Sequence, residues 1–241
     1  MNTKIVLEYD GTMFNGWQQQ VRPRTVEEEL KLALKRLSGA DHRVIGAGRT
    51  DAGAHALGQV VSFQWLGNLP LERLQGCLNG VLPEDISVVS VESVEDTFHA
   101  RYSARWRRYR YRYLDRPGRP ALERRRCWWI QGRLDAEVMD RAAQALVGEH
   151  DWSSLSSPGD RNPVRTMREA RVTRAEPFVE LELVAEGFLR GMARTIAALL
   201  AEVGLGRSPE AVAEVLASGI RSHDLKPAPA RGLTLMEVIY E

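Results

Sequence analysis

Tyr102-Ser103-Ala104-Arg105-Trp106-Arg107-Arg108-Tyr109-Arg110-Tyr111-Arg112-Tyr113-Leu114 reads as one long strand. Successive side chains on a strand point to opposite faces. Tyr109, Tyr111 and Tyr113 therefore share one face, and Arg108, Arg110 and Arg112 share the other. What precedes this run is already a full unit. Residues 3–10 make a strand ended by the Asp10-Gly11 turn. Thr25 with Glu28 forms a capping box. Behind it Val26, Leu30, Leu34 and Leu37 recur at helical spacing, with Lys31, Lys35 and Arg36 toward the negative end. Short strands at 43–47 and 59–65 flank a Gly-rich polar loop, 48–55, and a helix over 71–79 precedes a strand at 86–92. Strand–helix–strand–strand–helix–strand is the ferredoxin-like order.

The long run restarts that order. A Pro/Arg-rich loop, 115–126, follows it, then a helix over 136–147 capped by Asp135 and a surface loop at 153–163. Strands at 167–175 and 178–186 form a hairpin around Glu176-Pro177. Helices at 190–203 and 209–217 and a last strand at 234–240 complete the chain. The second half repeats the element order loosely, without sequence repetition. The class this predicts is α+β, a mostly antiparallel sheet with helices on one side. The boundary falls near residue 103, giving an N-terminal part, 1–103, and a C-terminal part, 104–241.

Composition narrows the function classes. At 44% hydrophobic and 27% charged residues, the 241-residue chain has a globular balance, and wholesale disorder is excluded. Its apolar stretches are far shorter than the ~20 residues a membrane span needs, and the first residues reach Glu8 and Asp10 with no signal-peptide core. Two cysteines, Cys77 and Cys127, have no partners at metal-ligand spacing. That pattern predicts a reducing, cytoplasmic setting and no zinc ribbon.

The net charge of +1 conceals a strong asymmetry. Residues 101–126 carry eleven arginines against only Asp115 and Glu123, while the segments on either side are mildly acidic. Such a basic belt is the footprint expected for a polyanion, and Arg101, Arg105, Arg107 and Arg108 are its candidate phosphate contacts. Arginine suits bidentate phosphate contacts and stacking on bases better than lysine. A GC-rich genome or thermal adaptation also favours Arg over Lys, but neither accounts for the clustering.

Three constellations can carry chemistry. Gly46-Ala47-Gly48-Arg49-Thr50-Asp51-Ala52-Gly53-Ala54-His55 permits tight turns and close approach to a ligand. It is neither a dinucleotide fingerprint nor a P-loop. It presents one carboxylate, Asp51, two residues from Arg49, and a nearby cation favours the ionised form that a carboxylate nucleophile needs. An Asp that merely hydrogen-bonds its own turn fits the segment too. His55 reads as structural rather than catalytic. Tyr109, beside the densest charge, suits either stacking on a base or packing into the core, whereas Tyr111 and Tyr113 read as core. The helix over 190–203 is apolar on most of its surface, yet Arg194 sits among its alanines. Either Arg194 lies at an exposed rim or it is buried with a carboxylate from elsewhere, for which Asp51 is a candidate. The five histidines show no metal-ligand spacing, and Glu27-Glu28-Glu29 is capping charge.

Taken together, these segments resemble the tRNA pseudouridine synthase A family. The resemblance rests on Tyr9-Asp10-Gly11 with Phe14-Asn15-Gly16-Trp17-Gln18, and on the loop Gly48-Arg49-Thr50-Asp51-Ala52-Gly53-Ala54-His55. It continues through Phe98-His99-Ala100-Arg101-Tyr102-Ser103-Ala104 with Arg108-Tyr109, and through Gly148-Glu149-His150-Asp151-Trp152-Ser153-Ser154. Pro163-Val164-Arg165, Phe188-Leu189 to Met192-Ala193-Arg194, and Gly232-Leu233 follow in order. It spans essentially the whole chain. Ala193, Thr195 and Ala198 stand where Val, Asn and Gly are more usual, which bears on helix packing rather than on chemistry.

The resemblance implies that Asp51 is the catalytic nucleophile, Arg194 its ion-pair partner and Tyr109 the residue stacking on the target uracil. Arg49 would contact the flipped nucleotide or its phosphate. It further implies two ferredoxin-like halves in one extended sheet with the active cleft between them. A homodimer would act on uridines 38, 39 and 40 of the tRNA anticodon arm, without metal or organic cofactor. The base must leave the stack to react, which demands a stacking aromatic and backbone-gripping cations. Three routes are open to Asp51: attack at C1′, attack at C6, or removal of a C2′ proton. Two rival classes remain. A non-catalytic tRNA-binding module would use the belt without needing Asp51, and a carboxylate-dependent phosphohydrolase would need a second acid or metal ligands.

Overall fold

Alternation in the first residues produces strand β1 (Asn2–Tyr9), whose Ile5 and Leu7 are fully buried. The computed structural model describes residues 1–20, 24–159, 162–221 and 224–241. The chain divides into two units, one of residues 1–105 with 235–241 and one of residues 106–234.

In the first unit, the Thr25 hydroxyl accepts the Glu28 N–H and starts helix α1 (Val26–Ser38). Glu27, Glu28 and Glu29 fill its first turn and Lys35 and Arg36 its last, the charge order that a helix dipole favours. Strands β2 (Ile45–Gly46) and β3 (His55–Gln64), helix α2 (Leu71–Asn79) and strand β4 (Ile86–Ser93) follow. β1 lies between β3 and β4, antiparallel to both, and β2 pairs antiparallel with β3. The expected strand at 59–65 thus begins earlier, at His55, so the Asp51 loop leads almost directly into a central strand.

In the second unit, β5 (Trp106–Asp115) starts later than expected. Residues 99–103 form a turn instead, closed by the Ser103 N–H on the His99 carbonyl. β6 (Trp128–Ile130) runs parallel to β5 and makes the sheet mixed. Helix α3 (Ala136–Ala143) is capped by Asp135, whose carboxylate accepts the Val138 N–H, and its expected extension becomes a 3-10 turn over Gln144–Leu146. β7 (Gly148–Asp151), β8 (Val164–Ala175) and β9 (Phe178–Ala185) form antiparallel pairs in the order β5-β9-β8-β7.

Helix α4 (Met192–Gly204) begins after Gly191, and α5 (Ala211–Ser218) follows it. The last strand, β10 (Leu233–Ile239), places its residues from Leu235 onward in the first unit beside β3. The class is α+β, and no helix among the described residues is long and apolar enough to cross a membrane. Part of the expected surface loop, residues 160–161, lies outside the described residues.

α4 is the core helix of its unit. Ile196, Ala197 and Leu200 are fully buried, and the Tyr113 hydroxyl donates to the Ala197 carbonyl at 2.8 Å. The small residues let the helix lie close to β5. The unusual Ala193, Thr195 and Ala198 are all buried, and the Thr195 hydroxyl donates back to the Gly191 carbonyl at 3.0 Å. These substitutions are accommodated by ordinary packing.

Asp115, at the end of β5, anchors this unit electrostatically. Both of its oxygens accept from Arg174, at 3.1 and 2.9 Å, and Oδ2 also accepts the Leu134 N–H at 2.9 Å. Burial alone would raise its pKa, but the Arg174 bonds and the Leu134 N–H outweigh it and hold the carboxyl below its usual value. A depressed folded-state pKa stabilises above the unfolded value and loses that stabilisation as pH falls through the folded one. Asp115→Asn is expected to cost about 3 kcal/mol, because it strands Arg174. That corresponds to a Tm loss of roughly 6–12 °C for a chain of this size. The variant should also show a shallower fall in stability below about pH 4. Thermal melts across that range check this, and an unchanged Tm at neutral pH would contradict it.

Candidate active site

Backbone hydrogen bonds from the first turn of a helix have no partners within it, and the chain must supply them. At α1 they are taken up by a segment that turns out to hold the Asp51 loop. The Val26 N–H donates to the Gly16 carbonyl at 3.3 Å and the Glu27 N–H to the Trp17 carbonyl at 3.0 Å. On its other side the same segment grips the loop. The Trp17 N–H donates to the Thr50 carbonyl at 3.1 Å, and the Gly53 N–H donates to the Phe14 carbonyl at 3.2 Å. Residues 14–17 are thus a splint between a helix N-terminus and both sides of Asp51.

Two glycines make the approach possible. A Cβ at Gly11 would overlap the Ala54 carbonyl oxygen. At Gly16 a Cβ would stand 2.6 Å from the Thr50 carbonyl oxygen, and the residue has φ +85°, which other residues rarely adopt. Within the loop, the Ala54 N–H closes the turn onto the main-chain carbonyl of Asp51 at 3.0 Å. The turn therefore does not depend on the Asp51 carboxylate for its closure. Asp51 itself is half-buried, and Arg49 on the same loop is exposed.

Beneath the loop lies a polar floor. The Tyr9 hydroxyl sits 2.8 Å from Thr50 Oγ1, in reach of the Gln59 amide, and Gln59 Nε2 donates to the Gly48 carbonyl at 2.8 Å. Burial pushes the Tyr9 phenol up to about 12. Gln59 is fully buried on β3. Sequence reasoning quoted Tyr9 in the opening motif without giving it a role, and missed Gln59; the available signal for Gln59 was an amide in the otherwise apolar run Gly58-Gln59-Val60-Val61. His55 Nδ1 accepts the Gly11 N–H at 3.0 Å. Its structural reading fits, because it ties Gly11 to the far end of the loop.

The second unit carries the other candidates. Tyr109 is 6% exposed on β5 and meets Phe188 edge to face, ring centroids 4.7 Å apart. Tyr111 and Tyr113 are core, as expected, with the Tyr111 hydroxyl donating to the Pro229 carbonyl. Arg194 is half-buried rather than at an open rim. Its Nε donates to the Ala228 carbonyl at 2.6 Å, and the Ala228 N–H returns a bond to the Arg194 carbonyl at 3.0 Å. Tyr111 and Arg194 thus converge on the 228–229 segment, on the β5 face that also carries Tyr109.

The belt arginines divide by environment. Arg101 and Arg105 are exposed. Arg107 is buried on the tyrosine face and donates to the Glu186 carbonyl. Arg108 lies 3.5 Å from both Glu169 and Glu182, and Arg112 2.7 Å from Glu180, so part of the positive face of β5 is met by carboxylates of its own unit. Among the described residues there is no group of three or more His, Cys, Asp or Glu placed to hold a metal ion.

Comparison with known proteins gives one answer. A family model described as tRNA pseudouridine synthase matches residues 5–103 and 142–241. The chain is 43% identical over 242 residues to tRNA pseudouridine synthase A of Thermoanaerobacter sp. (strain X514), with 99% of each chain covered. It is 39% identical over 242 residues to the protein of that name from Acetivibrio thermocellus, again covering 99% of each. With the one from Brevibacillus brevis it shares 40% identity over 240 residues, 98% of each chain.

Proposed function

Because the chain belongs to the tRNA pseudouridine synthase family and isomerises uridine to pseudouridine in tRNA, we propose that Asp51 carries the reaction, at positions 38, 39 and 40 of the anticodon arm. The observation that supports Asp51 most is the splint. Backbone bonds from residues 14–17 hold both sides of a carboxylate whose turn closes through main-chain atoms. Catalysis by positioning needs that kind of rigidity.

The chemistry balances within the substrate. The N1–C1′ bond breaks, the base turns, C5 bonds to C1′, the C5 proton leaves to water and N1 gains a proton. Asp51 either bonds covalently to C1′ or C6 and is later released, or takes a proton from C2′ and returns it. In this reading Arg194 pairs with Asp51, Tyr109 stacks on the uracil, and Arg49 contacts the flipped nucleotide or its phosphate. The family resemblance further implies ferredoxin-like halves, 1–103 and 104–241, with the active cleft between them, in a cytoplasmic homodimer that needs no metal or organic cofactor. The test is pseudouridine mapping on unmodified tRNAs incubated with the purified protein. Signal at 38–40 is expected, and product confined to other positions would overturn the site assignment.

Phosphate contacts set both affinity and salt dependence. Arg101→Ala and Arg105→Ala are each expected to flatten the log–log salt dependence of tRNA binding by about one unit. Arg107→Ala should instead lower stability, since Arg107 is buried against the Glu186 carbonyl. Arg108→Ala should flatten the slope less, because Glu169 and Glu182 already meet its charge. Binding titrations at several salt concentrations decide this. Unaltered slopes for both exposed arginines would make the belt a solvated face.

A further inference from the structure

An exposed aromatic ring is ordinary when it is loose and isolated. Tyr102 is neither. It is 77% exposed, yet its ring stacks on His99 with centroids 4.3 Å apart and planes 26° apart. The imidazole beneath it is itself fixed, because His99 Nδ1 accepts the N–H groups of both Arg101 and Tyr102 at 3.2 Å. The His99 N–H donates to Ser103 Oγ at 3.1 Å and the Ser103 N–H returns to the His99 carbonyl at 2.9 Å, closing the turn. The Arg101 guanidinium lies 5.7 Å from the Tyr102 ring centroid.

The turn is rooted beside the Asp51 loop. Ala100, at its centre, is fully buried against Ala47 and Val60. Its N–H donates to Ser62 Oγ at 3.1 Å, and its carbonyl accepts the Tyr240 hydroxyl at 2.8 Å. Ala47 is four residues before Asp51, a chain reach of at most about 14 Å. A rigid π-stack with an adjacent cation, seated on the strand that the loop leads into, suits one kind of ligand above others. A nucleotide offers the flat face of its base to the tyrosine and its phosphate to the arginine, and an unpaired base has that face open.

We propose that Tyr102, backed by His99, is a stacking platform for an unpaired nucleobase of the tRNA substrate other than the uridine being isomerised. The proposal rests on the tRNA reading above. It is tested by measuring tRNA affinity and single-turnover pseudouridine formation at saturating tRNA for the full chain and for Tyr102→Ala and Tyr102→Phe. Loss of one base–aromatic stack should weaken binding of the Ala variant roughly tenfold to a hundredfold. The Phe variant should stay within about twofold, since stacking needs the ring and not the hydroxyl. The salt slope should not change in either variant, because no phosphate contact is removed. The saturated rate should stay within a few-fold. Native-like affinity of Tyr102→Ala overturns the platform. So does a Phe variant as weak as the Ala variant, since the hydroxyl would then be what binds. Absence of pseudouridine with the unaltered chain would count against the isomerase reading alone, because the affinity comparison still decides the platform.

Discussion

Asp51→Asn is expected to bind tRNA within several-fold of the unaltered protein and to form no measurable pseudouridine. The affinity half follows from the dominance of phosphate contacts in nucleic-acid binding, to which one half-buried carboxylate contributes little. The rate half follows from the role proposed for Asp51. Removal of a nucleophile from an assembled site costs on the order of 10⁴-fold or more. The substitution is nearly isosteric, and the turn closes through the Asp51 carbonyl and the Ala54 N–H, so the loop should keep its shape. Thermal melts with single-turnover assays separate the two effects. A native Tm with a native rate would remove Asp51 from the chemistry, and a collapsed Tm would make its carboxylate structural.

The second large effect is expected at a residue that touches no substrate. Gly11→Ala places a methyl group on the Ala54 carbonyl oxygen, so backbone must move against backbone. Overpacking of this kind costs about 1–3 kcal/mol, and a clash with main chain belongs at the upper end. The corresponding Tm loss is roughly 6–12 °C. Ala54 follows Asp51 by three residues, and a displacement near 1 Å costs on the order of 100-fold in rate. Affinity for tRNA should stay within a few-fold, as the belt arginines proposed to contact phosphate lie outside this loop. Gly76→Ala is the control. It lies inside α2 with nothing within 4 Å of the added atom, and should be stabilising by about 1 kcal/mol with an unaltered rate. A Gly11→Ala protein with native Tm and rate would refute the role given to the close approach of Gly11 to the Asp51 loop.

These two residues also mark what could be read in advance. Local signals survived into the structure. The Thr25–Glu28 cap, the 71–79 helix and the inward Tyr111 and Tyr113 are set by spacing and capping over a few residues. The Gly-Arg-Thr-Asp-Ala-Gly loop was equally visible as a motif. Short elements were missed: β6 spans three residues and β7 four, too few for either periodicity to register. β3 starts before the expected residue because Gly58 and Gln59 interrupt its apolar run. Gly58 is small because a Cβ there would stand 2.4 Å or more from the Met236 carbonyl region of β10. The splint was illegible for a different reason. It joins residues 14–17 to residues 50–53 through main-chain atoms, and no side-chain pattern announces a backbone bond more than thirty residues away. Likewise the charge count made Arg108 and Arg112 look available, and only strand register shows Glu180 and Glu182 facing that row.

The central claim is that this chain moves a uracil from N1 to C5 attachment, and C5 keeps the record. Each turnover replaces the C5–H bond by C5–C1′, so tRNA labelled with tritium at uracil C5 must release one label to water per site converted. The account predicts release in step with pseudouridine formed, without strand cleavage or phosphate release, and none with Asp51→Asn. Full retention of label by folded protein bound to several tRNAs with uridine at 38–40 would contradict it.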